Sequence, residues 1–306
     1  HRQIREAGAV AALVSAVKSP KSTPKVREDA RVLLWTLAQN EANHPTLRDA
    51  DAVAVLAGAV TSDPATPSVC ECACAALWAL AANADNHLKM REANAIEALV
   101  RAAGSPTSTP EACEYAYCTL MHLARNPHNH PAMREADFIA AVVGAVRAPS
   151  LSPPSVCEYA CSALLLLGVN DGNHAMMREA NAVQVLVGAV QSPSLTPSVR
   201  AHACGALTNL AKSDDNHRAL RDANAIEVFV EAVRSETSTS DVFRYACSAL
   251  AKLAFNEDNH RRLRNANAFE ALAGAVKSGP STSRPCEYAC VAFWALAKNV
   301  RNHPKL

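Results

Sequence analysis

Charge of one sign is what this sequence lacks: 30 Lys and Arg stand against 29 Asp and Glu over 306 residues, a formal net charge of +1. Without a basic excess there is no electrostatic footprint of a general nucleic-acid binder. Long apolar runs are missing too. None approaches the roughly 18 residues that span a bilayer, and no secretory signal opens the sequence. Equally absent are a Gly-rich phosphate loop, a nucleophile elbow, paired carboxylates outside the recurring pattern, and an Asp/Glu/His set unique to one segment. A catalyst needs a singular site, so the sequence predicts no enzyme and no cofactor.

What is present is repetition. The stretch "NHPTLRDADAVAVLAGAV" at 43–60 returns as "NHLKMREANAIEALVRAA" at 86, "NHPAMREADFIAAVVGAV" at 129 and "NHAMMREANAVQVLVGAV" at 173. Its histidine stands at His1, His44, His87, His130, His174, His217, His260 and His303, spaced by 43 residues except for one step of 44. Such a period means a stack of small units sharing one continuous core. The expected copies are 1–43, 44–86, 87–129, 130–173, 174–216, 217–259 and 260–302, with an eighth beginning at 303–306. Because the sequence starts and stops inside the repeated phrase, a piece of a longer chain is expected.

Each copy reads as three helices. Asn43 is a natural N-cap and Pro45 falls in the first turn, where its missing amide costs nothing, so a short helix is expected there. Gly8, Asp51, Asn94, Asp137, Asn181, Asn224 and Asn267 follow that helix at one position, and these residue types best tolerate a left-handed backbone. A sharp corner is predicted at each. Val53, Leu56, Ala57 and Val60 then form the stripe of a helix buried on one face. After a polar loop the third helix opens on Thr23-Pro24, Thr66-Pro67, Thr109-Pro110 and Thr196-Pro197, hydroxyl cap before proline. The extra residue of the 44-step falls in such a loop, 147–155, where insertion is cheap. The third helix carries Ala30 and its equivalents, then a large apolar residue four on, then a leucine three further. Small and large residues on one face suit close helix stacking.

The pattern N-x-x-x-[LIM]-R-[ED]-A-[GND]-A-[VI]-x-x-L-V, followed by V-x-x-x-A-x-x-A-L-x-x-L-A, resembles the armadillo repeat over the whole chain. The usual corner glycine survives only as Gly8. The resemblance implies an all-α fold, a right-handed α-solenoid of seven three-helix repeats whose third helices line a concave groove, and a role as a protein-binding scaffold. A HEAT-type solenoid is the alternative fold, but it lacks the separate short helix. The nuclear-import receptors of the family pair Trp with Asn four residues apart on successive third helices. Here the matching pairs are Val32/Thr36, Ala75/Ala79 and Gly205/Asn209, so only Asn209 keeps the motif.

The recurring histidines invite a metal reading. Copies about 10 Å apart cannot share an ion whose nitrogen ligands must come within about 2.1 Å, so hydrogen bonding at the repeat junction is expected instead. The 11 cysteines fall into two rows. Cys74, Cys161, Cys204, Cys247 and Cys290 share one position; Cys70, Cys113, Cys157 and Cys286 share another. No second ligand pair stands at finger-like spacing, so the rows read as compact packing in a reducing compartment, the cytoplasm being the expectation. Ser-Pro and Thr-Pro steps could accept phosphate near helix N-termini, although capping already accounts for most of them.

Helical phase names the candidate groove residues. Opposite the Ala/Leu stripe lie Glu28, Glu71, Glu114 and Glu158, an acidic row, with His122 in the third copy. Later copies offer Asn209, Arg244, Lys252 and Glu287. Flanking them are Trp35, Trp78 and Trp294 on one side and Tyr115, Tyr159, Tyr245 and Tyr288 on the other, amphipathic rings of the kind interfaces favour. Arg125, Lys212, Arg244, Lys252 and Lys298 turn the later copies basic. The expected partner is a protein or peptide with basic residues toward the N-terminal half and acidic ones toward the C-terminal half. No small-molecule substrate or membrane insertion is expected. Three alternatives remain: a cargo adaptor of the nuclear-import-receptor type, kept open by the acidic row; a helical-repeat nucleic-acid binder, which predicts a basic stripe with stacking aromatics on every third helix; and an architectural strut with partners on the convex face, where Gly58, Gly144, Gly188 and Gly274 recur.

Overall fold

The computed structural model of the protein describes residues 8–61, 67–149, 153–235, 238–278, 284–299 and 302. The expectations for Thr66, the residues 150–152 of the loop with the extra residue, His1 and the start of an eighth copy at 303–306 lie outside them. Among the described residues every regular element is a helix. The chain divides into two compact units, 1–163 and 164–306.

The three-helix order recurs along both units. Second helices span Ala9–Lys18, Ala52–Thr61, Ala95–Gly104 and Phe138–Arg147, then Ala182–Gln191, Ala225–Arg234 and Ala268–Ser278. Third helices span Pro24–Ala38, Pro67–Ala81, Pro110–Ala124, Pro154–Leu167, Pro197–Leu210, Ser240–Ala254 and Arg284–Ala297. Between one third helix and the next second helix lies a six-residue helix, as at His44–Asp49. Within each unit, neighbouring third helices pack side by side and second helices do the same one layer away. This is an α-solenoid.

Backbone chemistry sets the turns. All seven predicted corners have positive φ, from 52° at Asn94 to 67° at Gly8. The left-handed conformation costs most residues roughly 1–2 kcal/mol, which explains why only Gly, Asn and Asp stand there. Thr23, Thr109 and Thr196 cap the third helices, accepting from the amides of Val26, Ala112 and Val199. Thr239, which no proline follows, does the same for Val242.

One capping expectation is corrected. Asn43 does not cap the short helix: a 3-10 turn at Glu41–Asn43 runs straight into it, and the Asn43 backbone is already helical. Asn40 caps that turn instead, accepting from the Ala42 amide, and Asn83, Asn126, Asn170 and Asn256 repeat the device. This leaves the Asn43 side chain free to turn inward and donate to the Leu37 carbonyl at 2.7 Å.

That inward asparagine is the centre of the packing. Asn86, fully buried, donates through Nδ2 to the Leu80 carbonyl at 2.6 Å and to His44 Nδ1 at 3.2 Å. Its Oδ1 accepts from Arg48 Nη1 at 2.8 Å. His44 in turn donates from Nε2 to the Ala38 carbonyl at 2.8 Å, while its Nδ1 accepts from Asn86. The arrangement recurs as His87–Asn129–Arg91, His174–Asn216–Arg178, His217–Asn259–Arg221 and His260–Asn302–Arg264. The histidines therefore bond across successive turns of the solenoid, as the sequence suggested, and none of the relay's buried side-chain nitrogen or oxygen atoms is left without a partner. Around it lie the apolar rows, including the fully buried Leu34, Leu77, Leu120, Leu207 and Leu250.

The cysteine rows behave as small core residues. Cys74, Cys161, Cys204 and Cys247 are fully buried, and none of the cysteines is in a disulfide. Burial pushes the thiols of Cys204 and Cys247 up to about 12, so both stay protonated and inert. Cys290 departs from its row and is exposed. Gly58, Gly144, Gly188 and Gly274 are exposed on the second helices, and a Cβ added at any of them would meet nothing within 4 Å. Packing does not demand these glycines.

Candidate functional site: the exposed face of the third helices

The third helices turn their Ala/Leu stripe inward, which leaves one face of each helix partly open. In the first unit that face carries Glu28, Glu71, Glu114 and Glu158, all half-buried and at the same helical phase. Glu28 lies 4.0 Å from Lys25. Glu71 accepts a hydrogen bond from the hydroxyl of Thr109, one copy later, at 3.3 Å. The middle positions are less open than phase alone suggested. Ala75 and Cys118 are buried because the adjacent third helix closes over them, so they form the floor between the carboxylates.

The aromatic flank of this unit is partly organised by contact. Trp78, 38% exposed, meets Tyr115 with ring centroids 5.7 Å apart and planes tilted by 42°, a favourable offset geometry. Trp35 and Tyr159 are half-buried. Burial, followed by the neighbouring Cys118, pushes the Tyr159 phenol up to about 12. Cys118 neighbours both Tyr159 and Trp78. It belongs to neither cysteine row, and helical phase puts it on this face at the position equivalent to Ala75. His122 is half-buried, and burial, then Arg125, lowers its pKa. It is therefore neutral near pH 7 and adds no positive charge to the acidic row.

In the second unit the same face is basic at its centre. Arg244 lies over the Tyr245 ring at 4.2 Å and bonds Asp241 at 2.9 Å. Lys252 donates to Ser248 at 2.8 Å; burial, then Lys212, lowers its pKa to about 8. Asn209 uses its amide to hold the Leu165 carbonyl at 3.0 Å. Gly205, one turn before it, sits at a close approach: a Cβ there would come within 2.9 Å of the Leu165 side-chain end and 3.0 Å of the Tyr245 ring, so both side chains would have to shift. Tyr245 thus fits a notch that a larger residue would fill.

Farther along, Trp294 is 58% exposed and Phe255 55% exposed, with ring centroids 5.9 Å apart. Lys298 sits 3.8 Å above the Trp294 ring, a cation–π contact. Tyr288 is half-buried and Glu287 exposed. Phe255 was missed from sequence. It follows its third helix at the place taken by Arg125, Lys212 and Lys298 in other copies, and comparing that column would have marked it. The predicted residues therefore come together as two sets, an acidic one with Trp78/Tyr115 and a largely basic one with Arg244/Tyr245 and Phe255/Trp294.

Neither set has the makings of a metal centre. Among the described residues no group of three or more His, Cys, Asp and Glu side chains could hold an ion. No single helix among them is long and apolar enough to cross a membrane.

Comparison with known proteins agrees with the geometry. Residues 170–212 match the family model of the armadillo/β-catenin-like repeat. Among solved structures, an engineered protein determined by a structural genomics consortium is similar with a TM-score of 0.83 and 25% identity, covering 97% of this chain and 70% of that one. No curated protein matches. The resemblance read from the repeated phrase holds: the chain is built from armadillo-type repeats in an α-solenoid.

Proposed function

We propose that the protein is a non-catalytic scaffold that binds an extended segment of a protein partner along the third helices. The observation that supports this reading best is the sorting of charge on a face the fold otherwise holds constant. Four half-buried glutamates recur in the first unit, whereas the equivalent positions of the second begin with Ala201 and Arg244. Glu287 interrupts the basic set at its far end. Half-buried carboxylates pair more strongly with a cation than fully exposed ones because less water screens them. The Trp78/Tyr115 pair adds apolar area for the stem of a Lys or Arg.

The partner segment accordingly places Lys or Arg against the first unit and Asp or Glu against Arg244 and Lys252. The test is charge reversal at Glu71, Glu114 and Glu158, read as affinity for an extended Lys/Arg-rich peptide in titration calorimetry. Each reversal is expected to weaken binding about tenfold at low salt, as loss of one partly desolvated pair implies. Unchanged affinity in the triple variant would refute the assignment.

A further inference from the structure

Two lysines on the third-helix face of the second unit stand without the partners that its other cations have. Arg244 bonds Asp241 and lies over Tyr245, and Lys298 sits above Trp294. Among the described residues no ion pair or ring contact joins Lys212 or Lys252. Lys252 instead donates to the Ser248 hydroxyl at 2.8 Å, which holds its ammonium in place. It is the only lysine at its position in the seven copies, where the others have Thr36, Ala79, His122, Leu166, Asn209 and Ala295.

The fold brings the two lysines together. Lys252 follows Arg244 and Ser248 at four-residue steps, so the three line one face of the helix Ser240–Ala254. Lys212 follows the end of the preceding third helix, Pro197–Leu210, which packs beside it. Burial, then Lys212, lowers the Lys252 pKa to about 8, and no carboxylate counters either effect. The half-buried ammonium therefore senses the exposed one, because little water screens the pair. The acidic residues nearest along the chain do not neutralise them. Asp214 meets Asn256 at 3.5 Å and His217 at 3.3 Å, and Asp215, Glu257 and Asp258 are exposed on the turns beyond the two helices.

A single carboxylate against this pair would leave one ammonium uncompensated. A phosphate monoester carries about −1.5 to −2 charge at pH 7 and three strong acceptor oxygens, so it can meet both lysines at once. The phosphodiester of a nucleic acid has one charge per phosphate and lacks the second. We infer that Lys212 and Lys252 form a receptor for a phosphorylated serine or threonine of the extended partner. This rests on the scaffold reading of the third-helix face and names the chemistry of the partner's acidic contact there.

The experiment titrates the full chain, in a calorimeter at low salt, with extended Asp/Glu-rich peptides that differ only in a central residue: phosphoserine, glutamate or serine. Inorganic phosphate and a single-stranded oligonucleotide are titrated alongside. The phosphoserine peptide is expected to bind roughly tenfold tighter than the glutamate peptide, as one more charge-assisted contact implies, and the serine peptide weakest. Lys212→Met and Lys252→Met are each expected to keep their helical circular dichroism and to remove that tenfold gain. Lys277→Met, which deletes one charge from the second helix Ala268–Ser278, is expected to leave it intact. Equal binding of the phosphoserine and glutamate peptides would overturn the inference while leaving the scaffold reading in place, and no binding of any acidic peptide would overturn both. Binding of phosphate alone or of the oligonucleotide as tight as that of the phosphoserine peptide, or an undiminished gain in the folded double variant, would also overturn it.

Discussion

Replacing Asn86 by alanine tests the idea that the recurring phrase is junction chemistry. The side chain makes three bonds, to Leu80, His44 and Arg48, in a setting with no solvent exposure. Losing one bond with a neutral partner costs about 1 kcal/mol and one with a charged group about 1.5–3 kcal/mol, and each buried group left unpaired adds a further cost. Allowing for water entering the space, a loss of about 4 kcal/mol is expected. The control is Asn83→Ala, which removes only the cap of the 3-10 turn and is expected to cost about 1 kcal/mol. Urea denaturation followed by circular dichroism measures both. The double variant with His44→Ala should show coupling of about 1–2 kcal/mol, because the two side chains share one network. If Asn86→Ala cost no more than Asn83→Ala, or the two changes simply added, the relay would not hold the turns together.

Alanine at Gly58, Gly144 and Gly188 should stabilise the chain by about 0.5–1 kcal/mol each, since these exposed helical glycines have open space for a Cβ; loss of stability in the same denaturation assay would contradict this. Asn181→Ala should cost about 1 kcal/mol because φ there is 59°, while Asn181→Gly should be neutral or better, again by denaturation. Lys252 has its pKa lowered to about 8 by burial and by Lys212. The unfolded chain therefore binds more protons than the folded one above pH 8, so stability should rise from about pH 8 to the normal lysine range near 10.4. That rise should vanish in Lys252→Met.

The corners were fully legible in the sequence because backbone strain restricts them to Gly, Asn or Asp, whatever surrounds them. Helical phase puts Glu71 and Glu114 on the partly open face of the third helices but cannot tell that the neighbouring third helix buries Ala75 and Cys118. The role of Asn43 was misjudged for a local reason. Asparagine before a short helix is ordinarily a cap, and only the 3-10 turn, which makes Asn40 the cap, frees Asn43 to reach inward. The relay itself depends on which atoms meet 42 residues apart; the period announces that the histidines face one another's turns but not that an asparagine bridges them.

Hydrogen–deuterium exchange of the full chain with an extended Lys/Arg-rich peptide, and separately with an Asp/Glu-rich one, tests the central claim most directly. The account predicts slowed exchange in the third helices Pro67–Ala81 and Pro110–Ala124 with the basic peptide, in Ser240–Ala254 with the acidic peptide, and no change in the second helices. Protection confined to the second helices, or the same pattern with both peptides, would contradict it.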